Sequence, residues 1–338
     1  MMKRKETINS MFYGFDDFSI IPRKKTYIKS RSECNIYKDD MLPIFTAPMG
    51  AVIDDNNYVT FNDHKVNTII PLTVDLDKRL ELATKTFVSL DLKEFEDFIK
   101  KHSLKVSKVY YICVDVANGH MDHMIDLCAK AKEKFGGFIR IITGNIANPD
   151  TYFDYAKAGI DGVRCSIGSG SACLTASNTG CYMSMPSLIA GCNNNKMEVI
   201  KSIQSGDRIY KSIPFIIADG GLNRYDKIIK ILALGADYVM LGGVFAKCAE
   251  ACSVKDGVVE YYGMCTKRVQ KMRNRAILKT SEGIEYKVNT EYSLAQWVEN
   301  FADYLRSAMS YTDSKDLEEF KNCQIGFMTR SAFNDYFK

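Results

Sequence analysis

No sign of charge dominates this chain: 45 basic residues face 41 acidic ones, a net charge of +4. That balance excludes binding driven by a single-sign field, so neither a nucleic-acid nor a membrane partner is expected. No window reaches the roughly 18 uninterrupted apolar residues of a spanning helix. The opening Met1–Thr7 is charged, has no apolar run behind it, and does not read as a secretory signal. The 11 cysteines include no Cys-x-x-Cys pair. This argues against a structural zinc site and for free thiols in a reducing, cytoplasmic compartment. Internal repeats and low-complexity tracts are also absent. What is present is ordinary globular composition, 46% hydrophobic and 25% charged over 338 residues, long enough to bury a sizeable core.

Eight apolar runs of strand length follow one another: Pro43–Met49, Thr68–Val74, Thr84–Leu90, Tyr110–Ala117, Ile139–Ile146, Gly162–Gly168, Pro214–Gly221 and Tyr238–Val244. They are continuous rather than alternating, the pattern of parallel strands buried on both faces. Helical patterns lie between most of them, at His120–Phe135, Pro149–Gly159 and Tyr225–Gly235, and Ser293–Tyr311 carries an amphipathic stripe. Asp75–Leu82 is short and reads as a weak helix. The alternation predicts one closed (β/α)8 barrel domain over 1–338, with an open doubly wound sheet as the runner-up. Nothing of domain size follows the second strand. Two stretches exceed a plain βα unit: a Gly/Ser/Cys-rich loop at 167–186 and a polar, flap-like insertion at 253–292. In a barrel both lie at the carboxyl ends of strands, where active sites are built.

The loop carries Gly168-Ser169-Gly170-Ser171-Ala172-Cys173-Leu174-Thr175. Glycines allow close backbone approach to a ligand, and Ser171 adds a hydroxyl donor. Cys173 among backbone amides suits a thiolate nucleophile, and Thr175 a proton relay. One cysteine of 11 can equally be incidental to a flexible loop. Asp219-Gly220-Gly221 and Gly242-Gly243 end the seventh and eighth strands, where barrels commonly bind phosphate. Asp219 beside them is placed to accept ribose hydroxyls. Asp115 at the end of the fourth strand points into the mouth or caps the next helix. His120 reads as a general base or as a structural residue. Glu282, in Ser281-Glu282-Gly283, is an acid/base candidate that the residues alone do not single out.

Together these pieces resemble the IMP dehydrogenase/GMP reductase family. IGSGSACLT is similar to its catalytic Cys loop. IIADGG and LALGADYVMLGG are similar to its phosphate-binding half. Tyr262-Gly263-Met264 resembles its purine-contacting motif and Thr46–Met49 its first strand. The resemblance spans about Phe15 to Thr329. It implies a barrel that binds a purine nucleoside monophosphate and a nicotinamide cofactor, commonly as a homotetramer. It implies catalysis by Cys173, Thr175 and Glu282. Substrate contacts fall to Met49, Ser171, Asp219, Gly220 and Gly221, then Gly242, Gly243, Tyr262, Gly263, Met264 and Cys265. The cofactor side falls to Asp115, Asn118, Gly119 and Asn145. A monovalent cation such as K+ is implied at Gly168, Gly170 and Cys173.

Within the family the reductase branch is the better match. Phe15–Phe18 through Lys29–Glu33, Asp115–Gly119, Tyr262–Met264 and Ser281–Gly283 follow its spelling. Cys265–Ser281 lacks the Arg-Tyr pair with which the dehydrogenase activates water; Arg268, Arg273 and Arg275 have no Tyr beside them in sequence. Asp161–Arg164 instead reads like the dehydrogenase. The implied activity is NADPH-dependent reductive deamination of GMP to IMP. The alternatives are IMP dehydrogenase with NAD+, or a non-catalytic purine-nucleotide-binding regulator. Four departures from the family pattern bear on substrate and cofactor. Gly50 replaces an Asp. Ile70–Asp75 lacks a basic pair. Ser166 replaces a Gly, and Ala176 replaces an Arg or Gln.

Overall fold

Apolar runs buried on both faces do form a parallel sheet. The structure is a computed structural model that describes residues 11–102, 108–273 and 277–336; Met1–Thr7 and Arg275 lie outside the described residues. The barrel strands are β1 (Ile44–Thr46), β2 (Ile69–Ile70), β3 (Phe87–Leu90), β4 (Tyr110–Asp115), β5 (Ile139–Ile146), β6 (Gly162–Cys165), β7 (Phe215–Asp219) and β8 (Tyr238–Leu241). Their hydrogen-bonded order is β1-β8-β7-β6-β5-β4-β3-β2, parallel throughout. Asn67 closes the ring. Its N–H donates to Ile44 O at 3.0 Å, its carbonyl accepts from Thr46 N at 2.9 Å, and its side-chain amide donates to Leu42 O and Ile44 O. This is the predicted (β/α)8 barrel, and the open sheet is set aside.

β2 is far shorter than its apolar run. Pro71 follows Ile70 and has no N–H to continue the ladder. The weak helix after it does form, over Leu76–Leu82, with the Asp75 side chain accepting from Asp77 N. One helix was not legible in the sequence: Met185–Gln204 spans 20 residues between β6 and β7 and begins within the expected loop 167–186. The insertion after β8 forms a three-stranded antiparallel flap of Val254–Lys255, Val258–Tyr262 and Glu285–Asn289.

Period-two alternation sorts the strands into two cores. Outward residues such as Ile112, Val114, Val163, Cys165 and Ile216 pack under the helices. Inward residues Phe45, Ile69, Cys113, Ile142, Ile217, Tyr238 and Met240 fill the lumen. The lower lumen is aromatic: Phe45, Phe215 and Tyr238 pack edge-on or stacked at 5.1–6.5 Å. Just before β8, outside the lumen, Asp237 is fully buried against Lys196, Lys321 and Lys38 at 2.6, 2.7 and 3.4 Å. Burial alone would raise its carboxyl pKa, but the three ammonium groups hold it well below the usual range. The lower lumen is thus filled by aromatic side chains, and in a barrel the functional chemistry lies at the upper mouth.

Candidate active site

The last inward residues of four strands meet at the mouth: Asp115 (β4), Asn145 (β5), Arg164 (β6) and Asp219 (β7). Arg164 donates from Nη1 to Asp115 Oδ1 at 2.6 Å, and from Nε and Nη2 to Asp219 Oδ2 at 3.0 and 2.9 Å. Asn145 Nδ2 donates to the same Asp219 oxygen at 2.7 Å and to Ser166 O at 2.9 Å. Burial works against the charge on Arg164, but the two carboxylates more than offset it and hold the guanidinium ionised. Sequence reasoning named Arg164 only as a place to look for a water activator should the protein prove a dehydrogenase, and gave it no part in substrate binding. The signal was a lone charge inside the run Gly162–Cys165, since a charged residue buried in a strand needs a counter-ion.

The glycine-ended strands lie beside this belt. Gly220 and Gly221 adopt φ of +89° and +71°, which favour glycine. A Cβ on Gly221 would come within 2.7 Å of Ser169 O, and Ser169 Oγ donates to Asp219 O at 2.9 Å. A Cβ on Gly242 would meet Tyr261 Oη at 2.8 Å and Met49 Sδ at 2.9 Å, and one on Gly243 would meet Ser171 Oγ at 3.3 Å. Tyr261 Oη donates to Met49 Sδ at 3.3 Å and Tyr286 Oη to Ser171 Oγ at 3.0 Å. Met49, Ser171, Gly242 and Gly243 are therefore brought together with two tyrosines that sequence reasoning missed.

Tyr262 is not among them. On the flap strand Val258–Tyr262 successive side chains take opposite faces, so Tyr261 looks to the glycines and Tyr262 away from them. The Tyr262 ring carries the Arg268 guanidinium 4.6 Å from its centroid. Arg268 itself donates to Glu260 at 2.7 Å and lies 3.8 Å from Glu285.

The flap is zipped onto the Cys loop across more than a hundred residues. Leu174 N donates to Glu282 O at 2.8 Å, Ile284 N to Ala172 O at 3.0 Å, and Glu282 N to Cys265 O at 3.3 Å. Gly263 and Gly283 permit this approach, because a Cβ on either would lie 2.7 or 3.0 Å from Ala172 O. The register delivers Glu282 to the loop. Cys173 Sγ donates to Thr175 Oγ1 at 3.4 Å, and Thr175 Oγ1 donates to Glu282 Oε2 at 2.7 Å. The arrangement joins a partly exposed thiol, a hydroxyl and a carboxylate in one hydrogen-bonded chain, the kind of connection general acid–base chemistry uses. Most other cysteines are buried; burial pushes the thiols of Cys113 and Cys252 up to about 12 and that of Cys323 to about 11.

The remaining expected residues divide. Asn118 caps a turn, accepting from His120 N at 3.0 Å. Gly119 is packed against Tyr155 Oη and Asn145 O, which a Cβ would approach to 2.7 and 2.8 Å. His120 is structural: Nε2 accepts from Ala147 N at 3.0 Å, Nδ1 pairs with Thr151 Oγ1 at 2.8 Å, and burial lowers its pKa. Met264 packs partly buried on the core, and Cys265 is exposed. Gly168 has φ of +82°, and Gly170 O accepts from Cys173 N at 2.9 Å, folding the loop back on itself. Among the described residues no group of His, Cys, Asp or Glu is arranged to hold a metal ion, and no helix is long and apolar enough to cross a membrane.

The model of the IMP dehydrogenase / GMP reductase domain matches residues 51–335. The chain belongs to the IMP dehydrogenase/GMP reductase family. It is 27% identical over 342 aligned positions to a GMP reductase of Shouchella clausii, covering 95% of this chain and 97% of that one. It is 27% identical over 340 positions to a GMP reductase of Clostridium acetobutylicum, with the same coverage. It is 26% identical over 340 positions to one of Staphylococcus carnosus, covering 95% and 98%.

Three departures from the family pattern now have a physical account. A side chain at position 50 would run into Thr73 Oγ1 and lie 2.8 Å from Tyr262 Oη. Thr73 and Tyr262 thus fill the space into which a side chain at position 50 would point. Ala176 packs its methyl against Gly168, which leaves no room for the longer family residue in that direction. Ser166 adopts φ of +112°, a region that favours the family's glycine, and its buried hydroxyl has no hydrogen-bond partner among the described residues.

Proposed function

We propose that the protein catalyses NADPH-dependent reductive deamination of GMP to IMP and ammonia. The observation that carries this reading is the chain Cys173–Thr175–Glu282 at 3.4 and 2.7 Å. Cys173, as thiolate, attacks C2 of the purine. The 2-amino group leaves as ammonia, taking a proton that passes from Glu282 through Thr175. A nicotinamide nucleotide, when bound, supplies the hydride that C2 receives, and Cys173 is then expelled to leave IMP. Splitting the substitution in this way replaces one difficult step by two easier ones. Ser171 and the backbone of Gly220, Gly221, Gly242 and Gly243 hold the 5′-phosphate, Asp219 the ribose, and Met49, Met264 and Cys265 the base. The mouth suits the cofactor: Asp115, Asn118 and Asn145 ring it with polar groups. The family resemblance supports NADPH over NADH, K+ on the carbonyls of Gly168, Gly170 and Cys173, and a cytoplasmic homotetramer.

Tyr261 extends the phosphate site. A phenol hydroxyl facing a phosphate makes a charge-assisted bond, so Tyr261→Phe is expected to raise the Kd for GMP about 10-fold or more. Tyr262→Phe, on the opposite face, is expected to leave it within about 2-fold. Isothermal titration of both variants checks the assignment.

One observation favours the dehydrogenase reading: Arg268 and Tyr262, apart in sequence, are stacked in space. Against it, Glu260 holds the Arg268 guanidinium above its usual range, and the base of a hydrolytic step must be neutral. Arg273 is likewise held by Asp91 at 2.8 Å and Glu94 at 3.2 Å. Purified protein is expected to consume NADPH with GMP and to release IMP and ammonia in equal amounts. Formation of XMP from IMP and NAD+ at a comparable rate would make it a dehydrogenase, and nucleotide binding with neither turnover a regulator.

A further inference from the structure

We infer that Arg164 is a positioning residue for ribose recognition: it fixes the Asp219 carboxylate so that one oxygen is spent inside the protein and the other is kept for the ligand's hydroxyls. The inference rests on the purine-nucleotide reading of the site. Arg164 Nε, Arg164 Nη2 and Asn145 Nδ2 all converge on Asp219 Oδ2, at 3.0, 2.9 and 2.7 Å. Three donors saturate that oxygen, and none of them reaches Oδ1. A carboxylate held at one oxygen by three donors cannot rotate freely, so Oδ1 has one direction in which to accept. The Asp219 backbone is fixed as well, its carbonyl accepting from Ser169 Oγ in the loop beside Gly221. The hydroxyl-accepting oxygen is thereby tied in register to the phosphate cradle.

Charge counting leads to the same place. Arg164 is one cation between two carboxylates, with side chains only 8, 14 and 12% exposed for Arg164, Asp115 and Asp219. The trio carries a net negative charge, which is left to be satisfied by donors from the ligand. The guanidinium fork is needed for this. Its Nη1 reaches Asp115 while Nε and Nη2 reach Asp219, across the ends of strands β4 and β7. A lysine ammonium is a point charge and cannot span both carboxylates with that geometry.

The test is the ratio of Kd for 2′,3′-dideoxy-GMP to Kd for GMP, measured by isothermal titration on the full chain. A charge-assisted pair of hydroxyl bonds puts the wild-type ratio at about 10 to 100. In Arg164→Met the ratio is expected to fall to about 3 or less, through weaker GMP binding, with the dideoxy ligand bound nearly as before. Arg164→Lys, which keeps the charge, and Asn145→Ala, which removes one of the three donors, are expected to lower the ratio by a smaller amount. If Arg164→Met does not fold, because two buried carboxylates lose their partner, the Lys and Ala variants decide the matter. Unchanged ratios in folded variants would overturn the positioning role, as would equal weakening of both ligands, which a merely structural residue produces. A wild-type ratio near 1 would overturn the ribose role of Asp219 itself, and is read before any variant is made.

Discussion

Cys173→Ala is expected to lower turnover of GMP by more than about 10⁴-fold and to leave GMP binding within a few-fold of wild type. The side chain supplies the bond-forming atom, so nothing in the relay can substitute for it. The phosphate cradle and the Asp219 belt, which carry ground-state binding, do not touch it. The 11 cysteines of the chain make the claim specific. Exposure alone does not distinguish Cys173, because Cys181 and Cys265 are more exposed. What distinguishes it is its bond to Thr175 and its place on the loop that the flap covers. An electrophilic purine nucleotide such as 6-chloropurine ribotide is therefore expected to label Cys173 by mass spectrometry and to spare Cys181 and Cys265. Excess GMP should protect it. Label that follows exposure instead, or turnover in the alanine variant within about 10-fold of wild type, would remove the covalent step.

The strands of the barrel were legible because burial on both faces leaves continuous apolar runs. Closure was not. The seam is bridged by Asn67, a polar residue just before β2 that donates and accepts across it, and by Thr46 Oγ1, which accepts from Ile69 N at 3.2 Å. Helix Met185–Gln204 was hidden by Asn193, Asn194 and Asn195, poor helix formers that interrupt a stripe of Leu188, Ile189, Cys192 and Val199. In the site, Cys173 and Thr175 stood out locally, two residues apart. Glu282 needed the family resemblance, because its approach is made by backbone pairing between segments over a hundred residues apart. The choice between Tyr261 and Tyr262 turns on strand register, where one residue changes the face. Motif spelling does not carry that information. Arg164 escaped for a related reason: its meaning lies in Asp115 and Asp219, which only barrel closure brings to it.

Glu282→Gln decides whether the relay is chemical or only structural. The amide has the shape of the carboxylate, and its oxygen still accepts from Thr175, so the 2.7 Å bond survives. The backbone contacts of residue 282 with Leu174 and Cys265 do not involve the side chain. The flap should therefore close as before, and the Kd for GMP should stay within about 2-fold of wild type. What the amide cannot do is surrender a proton to the departing 2-amino group. General acid catalysis of that kind contributes about 10²–10⁴-fold, and kcat for GMP reduction is expected to fall by an amount in that range. Thr175→Val cuts the same path one step nearer the substrate, so the double variant should be little slower than the worse single one, as expected for residues that act as a unit. Stopped-flow measurement on the wild type and both variants locates the loss: the phase that releases ammonia should slow, and formation of the enzyme–GMP complex should not. If kcat for Glu282→Gln stays within about 5-fold of wild type, ammonia leaves without help from this carboxylate, and the proton must come from another group at the barrel mouth.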